Sequence, residues 1–189
     1  MHDHELRRES VERAYRDHAD DVYRIALAIL RDPEAAVDAT HDAFARAFER
    51  WEQYDANRPL RAWLHGIVSH AALDQVRRRT VRTLSAPIMG RALERPVVAG
   101  GDHGDPASQM AEREVIAGAL NSLKPDARAA LVLRHYYGYD YSEIAGFLRT
   151  SPGNVGSILS RAHGALRVHL TTDASDAQPE RADARRAAR

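Results

Sequence analysis

The chain has 189 residues, with 27 basic and 27 acidic side chains and no net charge, which argues against an indiscriminate binder of nucleic acid. It has no cysteine, so disulfides, cysteine-ligated zinc and thiol nucleophiles are excluded. No run of about 18 apolar residues occurs, and the start MHDHELRRES lacks an apolar leader segment, so a soluble, cytoplasmic protein without membrane insertion is expected.

Apolar residues make up 44% and aromatics only 6%, so the core must be built mainly from Ala, Leu, Val and Ile. The charge is unevenly placed. Residues 1–57 hold 14 acids and 8 Arg, whereas residues 58–95 hold 8 Arg against Asp74 and Glu94. An acidic block joined to a basic block points to two different surfaces in one N-terminal unit.

In chain order, apolar residues at helical spacing predict a first helix over residues 10–30, with Val11, Tyr15, Val22, Ile25, Ala26 and Ile29 inward and the "HDH" at residues 2–4 in a loose terminus. Asp32 and Pro33 supply an N-cap and a first-turn proline for a second helix, to about Tyr54, whose inward face is Val37, Thr40, Phe44, Phe48 and Trp51. "DANRP" at residues 55–59 breaks the chain, and a third helix covers about 60–82, with Leu60, Leu64, Ile67 and Ala71 inward. Residues 83–109 hold Pro and Gly without periodicity and read as a flexible linker. Helix returns at about 109–122 and over residues 125–137. Asp140 and Glu143 form a capping box for a helix starting at Tyr141, and Ser151 and Pro152 open the last helix, with Val155, Leu159, Ala162 and Leu166 inward. The tail from residue 171 is polar, rich in Ala, Arg and Asp, and reads as disordered. The fold class expected is all-α: two small helical domains, residues 1–82 and 110–170, joined by a linker.

Three stretches carry chemistry. In "DATHDAF" (38–44), Asp38 and Asp42 lie one helical turn apart beside aromatic residues, which suits docking on a basic helical partner. In "LRAWLHGIVSHAALDQVRRR" (60–79), Gly66, His70 and Arg77 make a stripe with Arg61, His65 and Ser69 beside it, a face able to track phosphates, although three terminal Arg also simply complement the helix dipole. "YSEIAGFLRTSPGNVGSILSRA" (141–162) has the helix-turn-helix arrangement, with Asn154, Ser157, Ile158 and Arg161 leading into a groove. The ten His have no H-x-x-x-H or H-E-x-x-H spacing and no Gly-rich phosphate loop occurs, so neither a metal, a cofactor nor an enzymatic activity is expected.

Taken together and in this order, the pieces resemble the bacterial RNA polymerase sigma factors of the small extracytoplasmic-function type, over residues 15–79 and 120–170. The resemblance implies the following roles. "DATHDAF" is similar to the family's polymerase-docking motif D-x-x-Q-D/E-x-F, with Asp38, Asp42 and Phe44 matching, His41 in place of Gln, and Phe48 on the same side. "DANRPL" and the helix after it resemble the segment that captures a flipped base and reads the −10 element, implicating Asn57, Arg58, Arg61, His65, Ser69, His70, Arg77 and Arg78. Gly66, Ser69 and His70 stand where the family commonly has a basic residue, Arg and Asn. "SPGNVGSILSRAHGAL" resembles the −35-reading helix, implicating Arg149, Ser151, Gly153, Asn154, Ser157, Ile158 and Arg161, with Gly156, Ile158, His163 and Gly164 replacing basic or polar residues and Arg149 replacing a turn Gly. Core RNA polymerase, promoter DNA and possible capture by an anti-sigma factor are the implied partners. The rivals are a sigma-like regulator that binds DNA or polymerase without melting promoters, and a partner-binding protein whose second domain is only structural.

Overall fold

A computed structural model of the chain describes residues 2–85 and 118–168, with side chains from residue 5 to 80 and from 118 to 168. The expected linker, the first part of the helix at 109–122 and the tail lie outside the described residues.

Helix α1 spans His2–Leu30, α2 Pro33–Glu49 and α3 Leu60–Ser85. These pack as one three-helix unit whose core is largely small side chains: Ala35, Ala36, Ala39, Ala43 and Ala47 of α2 are buried against Val22, Ile25 and Ile29 of α1 and Leu64 and Val68 of α3. Alanine at helical spacing lets backbones approach closely, while each fully buried Ile or Leu contributes about 1.5–3 kcal/mol. The turn between α1 and α2 is only two residues long. Arg31 takes the left-handed conformation (φ 57°), and Asp32 caps α2 by accepting a hydrogen bond from the Ala35 N–H at 3.1 Å. That bond holds the Asp32 carboxyl below its ordinary value, and Arg79 of α3 donates to its other oxygen at 3.1 Å, tying α3 to the start of α2.

The first helix begins at His2 rather than residue 10, and the "HDH" expected in a loose terminus forms its opening turn. The second helix ends at Glu49 rather than about Tyr54: Trp51–Gln53 form a 3₁₀ turn instead. Here Trp51, Tyr54 and Trp63 cluster, with ring centroids 5.2–5.9 Å apart, and this aromatic packing holds the chain at the break before α3.

The second unit begins, among the described residues, with helix over 118–121. Helix α4 (Pro125–Leu131) follows and widens into a π-helix over Val132–Tyr136, where the Tyr137 N–H reaches the Val132 carbonyl at 3.3 Å. The periodicity predicts an ordinary helix over 125–137. The wider turn places Tyr137 and Tyr139 towards the first unit, and Gly138 (φ 76°) lets the chain reverse between them. Helix α5 (Tyr141–Leu148) has the expected capping box: Asp140 accepts from the Glu143 N–H at 2.8 Å, and Glu143 accepts from the Asp140 N–H at 2.9 Å. Helix α6 covers 152–168 and opens on Ser151, whose hydroxyl accepts from the Asn154 N–H at 3.2 Å. Val155, Leu159 and Ala162 are buried as expected. No strand occurs among the described residues. The turn between α5 and α6 does place Arg149 in the left-handed region (φ 53°), where glycine would carry no steric cost.

The two units do not stand apart. They share one continuous apolar core, with α4 and α5 lying on α1 and α3. Arg128 of α4 is the central clamp: its guanidinium donates to the carbonyls of Ala28 (2.9 Å) and Ile29 (2.7 Å) at the end of α1 and to that of Leu123 (2.6 Å). The last carbonyls of a helix have no partner within it, so a cation from the second unit completes the first. Burial beside Arg31 lowers the Arg128 pKa to about 10, which leaves it charged at neutral pH.

Candidate functional site

The expected docking face is open. Asp38, His41 and Asp42 are exposed on α2. Phe44, on the apolar face read from the sequence, is buried there. It supports the face from below. The Tyr15 ring lies on it at 4.8 Å and reaches His41, with the hydroxyl 3.5 Å from Nε2. Tyr15 and Val37 were expected inward, yet they are 40% and 43% exposed. Both sit at the rim of the α1–α2 contact, outside the buried side chains of Ala39, Ala43 and Phe44. Phe48 is half-buried beneath Arg7, whose guanidinium lies 5.8 Å from its ring and pairs with Glu52. An acidic edge around Tyr15 and Val37 can therefore meet a partner through charge and apolar contact together; the sequence reading missed those two residues.

The expected −10-reading face is in a different state. Asn57 and Arg58 are exposed in the loop, where the Asn57 N–H and amide both donate to Asp55 Oδ1 and Tyr54 donates to the Arg58 carbonyl at 2.7 Å. Arg61, Arg77 and Arg78 are exposed; Arg61 lies 5.8 Å from the Tyr137 ring, and Arg77 pairs with Asp74 at 3.2 Å. His65 and Ser69, expected beside a solvent-facing stripe, are 0% exposed, and Gly66 is buried with them. The cause is the second unit. Tyr139 Oη is 3.0 Å from His65 Nδ1, Tyr137 sets its ring edge-on to His65 at 4.4 Å, and Phe147 lies where a Cβ on Gly66 would stand 3.2 Å from it. His70 is half-buried, its Nε2 3.2 Å from the Gly146 carbonyl. A cleft of about 610 Å³ opens between the units, lined by Tyr54, Arg58, Trp63, His70, Glu143 and Phe147.

Burial lowers the His65 pKa from 6.5 to about 4, the Asp21 carboxylate opposing the shift while Arg61 and His18 add to it. A histidine that binds its proton more weakly when folded contributes stability in full above about pH 6.5 and loses it as pH falls towards 4. The folded chain should lose about 2 kcal/mol between pH 7 and pH 5 from this group alone. Urea unfolding of the native chain and a His65→Phe variant at the two pH values checks it; equal losses in both would dismiss the histidine as the cause.

The expected −35-reading residues are gathered on one edge. Arg149, Ser151, Gly153, Asn154, Ser157 and Arg161 are exposed. Asn154 donates to the Thr150 hydroxyl at 2.8 Å and Arg161 to the Ser157 carbonyl at 3.1 Å, so both side chains are held along the helix. Ile158 is a correction: placed among the leading residues by its spacing, it is half-buried against the core, one turn from Val155 and Ala162. Arg149 also reaches Asp74 of α3 at 3.9 Å.

These arrangements agree with known proteins. Residues 14–82 match the Sigma-70 region 2 family and residues 113–166 match Sigma-70, region 4. The RNA polymerase sigma-E factor of Streptomyces coelicolor is 30% identical over 163 residues, 86% of this chain and 87% of that protein. The ECF RNA polymerase sigma factor SigM of Bacillus subtilis is 27% identical over 168 residues, 88% of this chain and 99% of that one. Two solved structures share the fold: the sigma factor RpoE in complex with the anti-sigma factor NepR from Bartonella quintana (TM-score 0.68, 21% identity, 87% of this chain and 99% of that chain), and CnrH in complex with the cytosolic domain of CnrY (TM-score 0.61, 22% identity, 88% and 90%). An exposed acidic face, a basic helix and a helix-turn-helix thus lie, in order, on a chain that belongs to the ECF RNA polymerase sigma factors, the proteins that direct core polymerase to its promoters.

Proposed function

We propose that this sigma factor docks on core polymerase through Asp38, His41 and Asp42, seated on Phe44 and Phe48. It reads the −10 region with Asn57, Arg58, Arg61, His65, Ser69, His70, Arg77 and Arg78. The −35 region falls to Arg149, Ser151, Gly153, Asn154, Ser157 and Arg161. Residues 1–82 form the docking and −10 domain, and residues 110–170 the −35 domain. The observation that carries this reading is the acidic edge of α2, exposed over a buried aromatic base, with the basic edge of α3 on another side of the same unit. The factor binds and positions rather than catalyses, and it works in the cytoplasm; no described helix is long and apolar enough to cross a membrane. An anti-sigma partner is proposed as well, since both solved relatives are complexes, with an anti-sigma factor in one and the cytosolic domain of CnrY in the other.

Run-off transcription with core polymerase tests the whole reading, and a failure to support any specific start would sink it. Within it, Arg161 carries an unusual share of the recognition helix's charge, being its sole Lys or Arg from Ser151 to Leu166. Arg161→Ala should cost about 1–3 kcal/mol at the upstream element, the range of one good base or phosphate contact. Promoter binding by the polymerase complex measures this, and an unchanged affinity would place the helix outside the groove.

A further inference from the structure

Two histidines from different parts of the second unit meet on its surface. His135 lies in the π-helix Val132–Tyr136, and His163 lies in α6, 28 positions further on. Their Nε2 atoms are 3.0 Å apart. The ring centroids are 5.1 Å apart and the ring planes stand at 64°, so the rings meet by their edges rather than stack. Both side chains are exposed. No short spacing in the sequence registers such a pair, because only the packing of α6 on the π-helix brings it together.

A direct N–H···N bond is one use of this contact, but it gains little in the open, where water serves either ring as well. Ligation is the use that needs both nitrogens at once. Zinc holds imidazole nitrogens at about 2.0–2.1 Å in a tetrahedral array, which sets two of them about 3.3–3.4 Å apart. The pair therefore has to open by only a few tenths of an ångström, and exposed side chains move that far without disturbing a core. The backbone points the same way. A π-helical turn is rare and occurs mostly at functional sites, and His135 stands within this one, on the side of α6.

Imidazole suits the divalent transition ions, whereas magnesium and calcium require oxygen ligands. Among the described residues no third His, Asp or Glu joins the pair to make a larger metal-binding group, so water completes the coordination. Structural zinc sites have four protein ligands, and an ion held by two exchanges readily.

We propose that His135 and His163 form an exchangeable two-histidine site for a divalent transition metal ion of the zinc class, and that the bound ion fastens α6 to the π-helix. The site stands independently of the roles assigned to α3 and to the docking face.

Calorimetric titration of the full-length chain with Zn2+ alone tests it, beside His135→Gln, His163→Gln and the double variant. Glutamine keeps an amide able to hydrogen-bond across the contact but offers no ligand nitrogen. The chain has ten histidines, so the difference between native chain and variants carries the test. Loss of a group that merely orients a ligand costs about 10–100-fold in metal affinity, so each single variant, which loses a ligand outright, should bind Zn2+ at least about tenfold more weakly. Because one ion uses both rings, the double variant should bind no more weakly than either single variant. Saturating Zn2+ should also raise the thermal midpoint of the native chain more than that of any variant, since an ion bound only by the folded form stabilises it. If a glutamine variant loses its helical circular dichroism, alanine at the same position takes its place. Equal Zn2+ affinity in the native chain and both single variants would leave the pair a hydrogen bond and overturn the site. Additive losses in the double variant would mean two separate ions and would overturn the shared one.

Discussion

The double variant Asp38→Arg, Asp42→Arg loses its binding to core polymerase and keeps its fold. Both carboxylates are exposed and one turn apart on α2, and among the described residues neither takes part in a hydrogen bond or ion pair that holds the helix. The helix depends on its buried alanines and on the Asp32 cap, which the substitutions do not touch. Two reversals place cations where the partner expects anions. Charge pairs at interfaces are worth about 1.5 kcal/mol or more each, so a loss of at least about 3 kcal/mol, roughly a hundredfold in affinity, follows. Titration of labelled core polymerase against the variant measures it, with the thermal midpoint as the folding control. An affinity within about threefold of the native value would remove the acidic edge from the docking face.

Arg128→Met has the largest expected effect on stability. Methionine fills much of the same space but donates nothing, so the carbonyls of Ala28, Ile29 and Leu123 lose the donor that reaches them. Hydrogen bonds from a charged donor are worth about 1.5–3 kcal/mol each, and partial rescue by water at the end of α1 leaves an expected loss of about 3 kcal/mol. Because the bonds join α4 to α1, the units should also unfold less cooperatively, with a broader urea transition. A loss below about 1 kcal/mol would show that α1 ends equally well without the second unit.

Local signals were legible where one short stretch decides the outcome. The caps at Asp32, Asp140 and Ser151 each need only a side-chain oxygen and the N–H groups two or three residues on, and all three formed as read. Leu64, Ile67 and Ala71 of α3 and Val155, Leu159 and Ala162 of α6 are buried as their spacing predicts. The exposure of Asp38 and Asp42 was legible because charges at that spacing lie off the apolar face. Periodicity misled at the edge of the α1–α2 contact: Tyr15 and Val37 satisfy the spacing of an inward face but finish exposed, Tyr15 with its ring against the buried Phe44. The π-helix at Val132–Tyr136 left no trace in the periodicity, since one extra residue in a turn shifts the stripe only at its end.

The sequence by itself determined that the chain is helical, that it carries an exposed acidic edge and a helix-turn-helix, and to which family it belongs. Those properties rest on spacing, caps and residue identity within windows of a few turns. Only the tertiary structure decided whether the face of α3 expected to read DNA is exposed. His65, Gly66, Ser69 and His70 read as a polar stripe open to solvent, and residues about seventy to eighty positions further on cover it. No periodicity within α3 can register a contact made from such a distance along the chain. The physical reason is that burial belongs to pairs of surfaces: Gly66 is a helix weakness when α3 is read alone and the seat of Phe147 once the second unit is in place.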